Sequence, residues 1–144
     1  MPTFREVKIK IESRIDELDS AGLVMGEPER TVTDALGYFR FGDGATLTYT
    51  ENGEGGEVSS EIEVSGDTVT VKRTGAIVST LVFRQGEEHR SVYSVPPYRF
   101  DVTVCARRVR TELQSEGGVI DVLYDMNIGG ADKAVRMRIW IQAS

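Results

Sequence analysis

Along most of this chain apolar and polar residues alternate with a period of two, and glycines break the alternation at short intervals. Val7, Ile9 and Ile11 fall on one side while Lys8, Lys10 and Glu12 fall on the other, so Arg5 to Ser13 predicts a strand with one buried face. Leu36 to Phe41 and Ala45 to Glu51 flank the turn-forming Gly42-Asp43-Gly44, and Glu57 to Val64 follows a break that runs from Asn52-Gly53 through Gly55 and Gly56. Thr68 to Ser94 then reads as three short strands with turns at Thr74-Gly75-Ala76 and Gln85-Gly86-Glu87, the meander around which the rest is built. Pro96-Pro97 interrupts the series and suits a corner, since proline offers no N–H to a ladder. Arg99 to Arg107, Val119 to Ile128 and Ala134 to Gln142 complete it, separated by Gly117-Gly118 and Gly129-Gly130.

One stretch loses the period. From Asp16 to Asp34 the acidic residues, Gly22, Gly26 and Pro28 predict a long connection, with a helical turn over Ile15 to Leu18. A solvated loop is its plain reading, and a lid over a barrel mouth its functional one. The remaining pattern predicts an all-β protein: a single up-and-down barrel of eight to ten antiparallel strands over residues 1–144. Closure removes the edges that so many strands would otherwise expose.

Composition narrows the class. The chain carries a net charge of −6, which disfavours nucleic acid and anionic membranes as partners. No apolar run approaches the length of a membrane span, and the N-terminus lacks the apolar core of a signal peptide. Cys105 is the only cysteine, so no intrachain disulfide forms, and a reducing, cytoplasmic setting is expected.

The alternation also assigns an inner face. It contains Val69, Val71 and Arg73; Ser79, Leu81 and Phe83; Ser91 and Tyr93; Leu47, Tyr49 and Glu51; and, near the C-terminus, Phe100, Val102, Val104 and Ala106, then Ile120, Val122, Tyr124, Met126 and Ile128, then Val135, Met137, Ile139 and Ile141. Most of these are core. Arg73 and Glu51 are charges in register with apolar neighbours, and a buried charge needs a partner or water. They either pair with each other or lie solvated at a strand end, or Arg73 pins a ligand carboxylate or phosphate with Ser79, Tyr93 and Tyr124 as neutral donors.

Other chemistry is thin. His89 is the only histidine; it sits beside the Gly86 turn, reads as solvated, and with one distant cysteine makes a poor metal set. Cys105 alternates away from the Val102 and Val104 face and has no activating context. No serine elbow is present, and Gly53, Gly55 and Gly56 lack the lysine-serine pair of a phosphate loop. The basic Arg107-Arg108-Val109-Arg110 reads as a solvated rim. Neither a metal nor a cofactor is expected.

Several pieces, taken in order, resemble the YwiB-like family of small bacterial proteins. They are Tyr49-Thr50-Glu51, Arg73-Thr74-Gly75, Ser79-Thr80-Leu81-Val82-Phe83 with Gly86, then Tyr93 and Pro96, then Gly118-Val119-Ile120 leading to Tyr124. One departure occurs at Val95-Pro96-Pro97-Tyr98-Arg99, where the family tends to carry Thr-Pro and a following glycine. The resemblance implies a lipocalin-like (calycin) barrel of unknown function in a bacterial cytoplasm, and no activity. The expected function is therefore noncatalytic binding of a small, partly apolar or anionic ligand in the interior. The alternative is an interaction module with a filled barrel, docking a protein partner or a second copy. An enzyme using Glu51, Tyr93 or Tyr124 as acid and base ranks last, because no activated group is visible.

Overall fold

In a computed structural model that describes residues 3–53 and 55–144, the chain forms ten strands. They are β1 (Arg5–Leu18), β2 (Val24–Gly42), β3 (Gly44–Gly53), β4 (Gly56–Ser65), β5 (Thr68–Gly75), β6 (Ser79–Arg84), β7 (Glu88–Val95), β8 (Tyr98–Gln114), β9 (Gly117–Ile128) and β10 (Ala131–Ala143). Hydrogen bonding links them in the order β6-β5-β4-β3-β2-β1-β10-β9-β8-β7, every neighbouring pair antiparallel. Each strand thus neighbours its sequence successor, save at the β6–β7 seam. There a single antiparallel bridge, Val78 to Ser94, and a parallel one, Gln85 to Ala106, nearly close the barrel. The up-and-down arrangement expected from the pattern is the one observed.

The inner face holds one continuous core. Val7, Ile9, Phe39, Leu47, Ile62, Val69, Val71, Phe83, Val102, Val104, Ile120, Val122 and Ile139 are each 2% exposed or less. Phe100, expected inside with Val102, Val104 and Ala106, is 40% exposed instead, because it lies two residues past the β7–β8 turn at the rim. Phe83 and Tyr124 meet with ring centroids 4.4 Å apart at a tilted angle, a contact of about 1 kcal/mol beyond its buried area. Glycine permits one close approach on this wall. A Cβ on Gly37 would run into the Thr48 carbonyl oxygen and the Ile9 side chain, so β1, β2 and β3 could not come together around a larger residue.

The stretch from Asp16 to Asp34 departs from expectation. No helical turn or long loop forms there. β1 continues to Leu18 and β2 begins at Val24, with Glu17 paired to Met25 and Leu18 to Val24. Asp19 caps the tight turn between them: its Oδ1 accepts hydrogen bonds from the amides of Ala21 and Leu23, both 2.9 Å. The register slips between Ile15 and Glu17, opposite the segment that holds Pro28, which has no N–H to donate. Val24 to Glu27 are exposed on both faces, so no buried side imposes a period of two. Pro96-Pro97 does form the expected corner, a two-residue turn with Val95 paired to Tyr98. Among the described residues no helix is long and apolar enough to cross a membrane.

Candidate functional site

Polar residues enter the inner face along a single row. Tyr49 of β3 pairs with Ser60 of β4, Ser60 with Arg73 of β5, and Arg73 with Ser79 of β6. Because side chains alternate across a strand, these four project to the same side as Leu47, Ile62, Val71 and Leu81. Glu51 lies on that face one step beyond, in register with Val58 and Gly75. The row sits near the hairpin ends: Arg73 is two residues from the end of β5, and Ser79 opens β6. It forms a polar mouth above an apolar floor.

Exposure changes along the same direction. Val71 is 2% exposed, whereas Arg73, Glu51 and Tyr93 are half-buried. The Val78–Ser94 bridge draws the end of β7 against the start of β6, and Tyr93 packs on the core there. Tyr124 of β9 lies within electrostatic reach of Arg73 and Tyr93. The five candidates from the sequence, Arg73, Glu51, Ser79, Tyr93 and Tyr124, are therefore brought to one end of one barrel face.

Their polar atoms are poorly satisfied. Ser60 and Ser79 are each 3% exposed, yet neither Oγ has a hydrogen-bond partner among the described residues. Ser91 Oγ on β7 and His89 Nδ1 are in the same state. Leaving such a group unmade inside a protein costs about 1–3 kcal/mol. Arg73 forms no ion pair among the described residues, so the expected alternative of an Arg73–Glu51 pair is not realised. Burial raises the Tyr49 phenol above its usual value, with the nearby Arg73 charge and Ser60 pulling the other way. Burial likewise pushes Tyr124 up to about 12, again opposed by Arg73. Both phenols stay neutral donors at any physiological pH.

Two residues beyond the candidates belong to this mouth. Tyr49 stands in the row, and Ser60 is a serine within the apolar series Val58, Ile62 and Val64, which was the available sign. His89 must also be moved from the solvated turn where its neighbours placed it. It lies on β7 in register with Val104, which is fully buried, and is itself half-buried. Its parity with Ser91 and Tyr93 carried that information.

The core fills the inner face below this row. The concavities of the described residues lie mainly outside. One of about 380 Å³ is bounded by Leu36, Tyr38, Thr50, Glu61, Lys72 and Thr74 on the outer wall of β2 to β5. Another of about 480 Å³ lies by the β1–β2 turn, with Asp19, Cys105, Arg107 and Asp125 among its lining. Among the described residues no three His, Cys, Asp or Glu side chains gather as a metal site.

Comparison with known proteins is consistent on the fold. Residues 9–139 match the model of a domain of unknown function, DUF1934. The uncharacterised β-barrel protein YwiB of Bacillus subtilis (strain 168) is 28% identical over 83 residues, which span 58% of this chain and 58% of that protein. The crystal structure of the ywiB protein from Bacillus subtilis superposes with a TM-score of 0.86 at 21% identity, covering 99% of this chain and 95% of the other.

Proposed function

The chain belongs to the DUF1934 family, and from that premise and the geometry of the mouth we propose that it is a noncatalytic barrel of lipocalin-like (calycin) type that binds a small molecule with an anionic head and an apolar body. The single observation that carries this reading is the inward Arg73, without an ionic partner among the described residues, set between Ser60 and Ser79, the Ser79 hydroxyl being buried with no hydrogen-bond partner among the described residues. A carboxylate or phosphate placed there would accept from the guanidinium fork and from both serines, while Tyr49 and Tyr124 donate from the sides. The apolar body would rest on the rim formed by Ile11, Ile15, Ala35 and Met126, which pack on the core but remain partly open. The shifted acids of the mouth, Tyr49 and Tyr124, are both raised further from neutral pH rather than poised for proton transfer, so binding is the whole of the activity proposed. The site's reducing, cytoplasmic setting remains part of the same reading.

Native mass spectrometry of freshly purified protein, compared with the same sample after denaturation, tests it. A reproducible mass excess that vanishes on denaturation and in Arg73→Met supports the mouth as the site. An excess unaffected by Arg73→Met would place the ligand elsewhere. A bare mass in a sample never exposed to dialysis would count against binding and favour the second reading, a docking module. That reading draws on Val32, Leu36 and Tyr38, which leave β2 outward and are 56%, 64% and 55% exposed.

A further inference from the structure

The outer wall of β8, β9 and β10 carries a cationic cluster that the mouth does not use. Asp121 of β9 points outward yet is only 8% exposed, because arginines cover it. Its Oδ2 lies 3.2 Å from Arg136 Nη2, 3.4 Å from Arg138 Nε and 3.8 Å from Arg108 Nη2. Arg110, directly opposite Asp121 on β8, is exposed and forms no ion pair among the described residues. Burial alone would raise the Asp121 carboxyl; hydrogen bonds and charge from Arg136, then Arg138, outweigh it and hold the group below the usual carboxylate range. One carboxylate thus tethers three guanidiniums whose remaining N–H groups face outward.

The Asp121 ion pairs stabilise the wall, but the cationic excess beside them does not. Arg14 of β1 stands directly opposite both Arg30 of β2 and Arg136 of β10, and like charges in such cross-strand positions repel. A concavity of about 160 Å³ lies beside the tether, lined by Arg110, Glu112, Val119, Asp121, Arg138 and Trp140. Lys10 Nζ sits 5.5 Å from the Trp140 ring centroid and adds a further cation at its edge. Arg108, Arg110, Arg136, Arg138 and Lys10 against Asp121, Glu112 and Glu12, which stands opposite Arg138 on β1, leave two positive charges uncancelled there, on a chain whose net charge is −6.

We propose that this cluster binds the condensed phosphate chain of a small molecule, a di- or triphosphate, on the outer wall of β8 to β10. The guanidinium fork matches phosphate oxygens, and Asp121 holds the forks in place before the ligand arrives. Arg110 and Arg138 flank Asp121 from strands two apart, a separation of about 9.6 Å between backbones. The Asp121 carboxylate already occupies the point where arginines of β8 and β10 meet, so an incoming anion engages Arg110 and Arg138 from outside it, and a diphosphate offers one phosphate to each. A long polyanion is disfavoured, because the acidic remainder of the chain repels it beyond the patch.

Isothermal titration with pyrophosphate, tripolyphosphate and inorganic monophosphate at fixed ionic strength tests the proposal. Saturable one-to-one binding is expected, with pyrophosphate at least ~10-fold tighter than monophosphate and weakened at least ~10-fold in Arg110→Gln and Arg138→Gln. Arg110 is exposed, so its variant should fold normally, as thermal unfolding would verify. Lys72→Gln, on the outer face of β5, should leave the titration unchanged, and running every titration in an Arg73→Met background keeps anion binding in the mouth out of the signal. Absence of saturable heat, or equal affinity in the arginine variants, overturns the proposal. So does binding of a single-stranded oligonucleotide or an acidic peptide with no response to pyrophosphate.

Discussion

Arg73 and Glu51 share the inner face at the barrel mouth, on β5 and β3 with β4 between them, and they form no ion pair. Their contributions to stability should therefore be independent. In a double-mutant cycle, Glu51→Gln and Arg73→Met should add to within about 0.5 kcal/mol, as uncoupled sites do. Arg73→Met alone should leave the ligand-free protein as stable as before or slightly more so, because a half-buried charge without an ionic partner among the described residues is replaced by an apolar side chain. A coupling above about 1 kcal/mol in urea unfolding would mean that the two residues pair in solution.

The same logic extends to a hydroxyl. Ser79 is buried with no hydrogen-bond partner among the described residues, so removing its oxygen removes an unmet demand rather than a bond. Ser79→Ala should be neutral or stabilise the empty protein by up to about 1 kcal/mol, while lowering affinity for whatever anion occupies the mouth. Loss of stability by more than 1 kcal/mol on chemical denaturation would show that the hydroxyl is satisfied in solution, and the serine would then be ordinary core.

The β-strands that bury one face were legible and those that bury none were not. Ile120, Val122 and Tyr124, with Val135, Met137, Ile139 and Ile141, are inside as their alternation indicated, because a one-residue slip would move each series into water. The outer half of β2 gave no such sign, since residues on both of its faces meet solvent. A register shift between Ala106 and Arg108 also escaped the pattern. It resets the parity of β8, so that Val109 pairs with Val122 inside while Arg108 joins Asp121 outside. The arginine cluster therefore read as a loose basic rim. In the mouth, Arg73, Ser79 and Tyr124 were visible as polar interruptions of apolar series. Their convergence depended on β4 and the β6–β7 seam, which no local pattern encodes.

Gly118 stands where β8 turns into β9, with φ of +143°. An added Cβ would collide with the carbonyl oxygen of Glu112, a backbone atom that cannot step aside. Gly118→Ala should therefore cost at least about 2 kcal/mol, from left-handed strain and the clash together. Gly22→Ala tests the strain alone, because nothing lies within 4 Å of its added Cβ at φ of +80°. Its cost should be the smaller of the two by thermal unfolding, and equal costs would remove the clash from the explanation.

Asp121 sets the acid limb of stability. Its carboxyl is held below the ordinary range in the folded protein, so the unfolded chain takes up the proton first on acidification. The stabilisation is fully present above the unfolded value of about 3.9 and is lost as pH falls through the lower folded value. At pH 7, Asp121→Asn should cost about 1–3 kcal/mol, the worth of hydrogen bonds to a charged group. That gap between the variant and the parent protein should narrow toward pH 3 in urea unfolding. A gap constant with pH would assign the loss to packing instead.

Tyr124 sets the alkaline limb with the opposite sign. Desolvation pushes its phenol up to about 12, against about 10 in an unfolded chain. The unfolded state therefore loses its proton first as pH rises. Stability from this group is complete below about pH 10 and declines until about pH 12, a loss of up to about 2–3 kcal/mol. Tyr124→Phe should flatten that decline. In an absorbance titration of the folded protein's five tyrosines, the variant should lack the last phenol to ionise. An unchanged final phase in Tyr124→Phe would mean that this phenol is solvated, and the mouth would then be open to water down to the Phe83 contact.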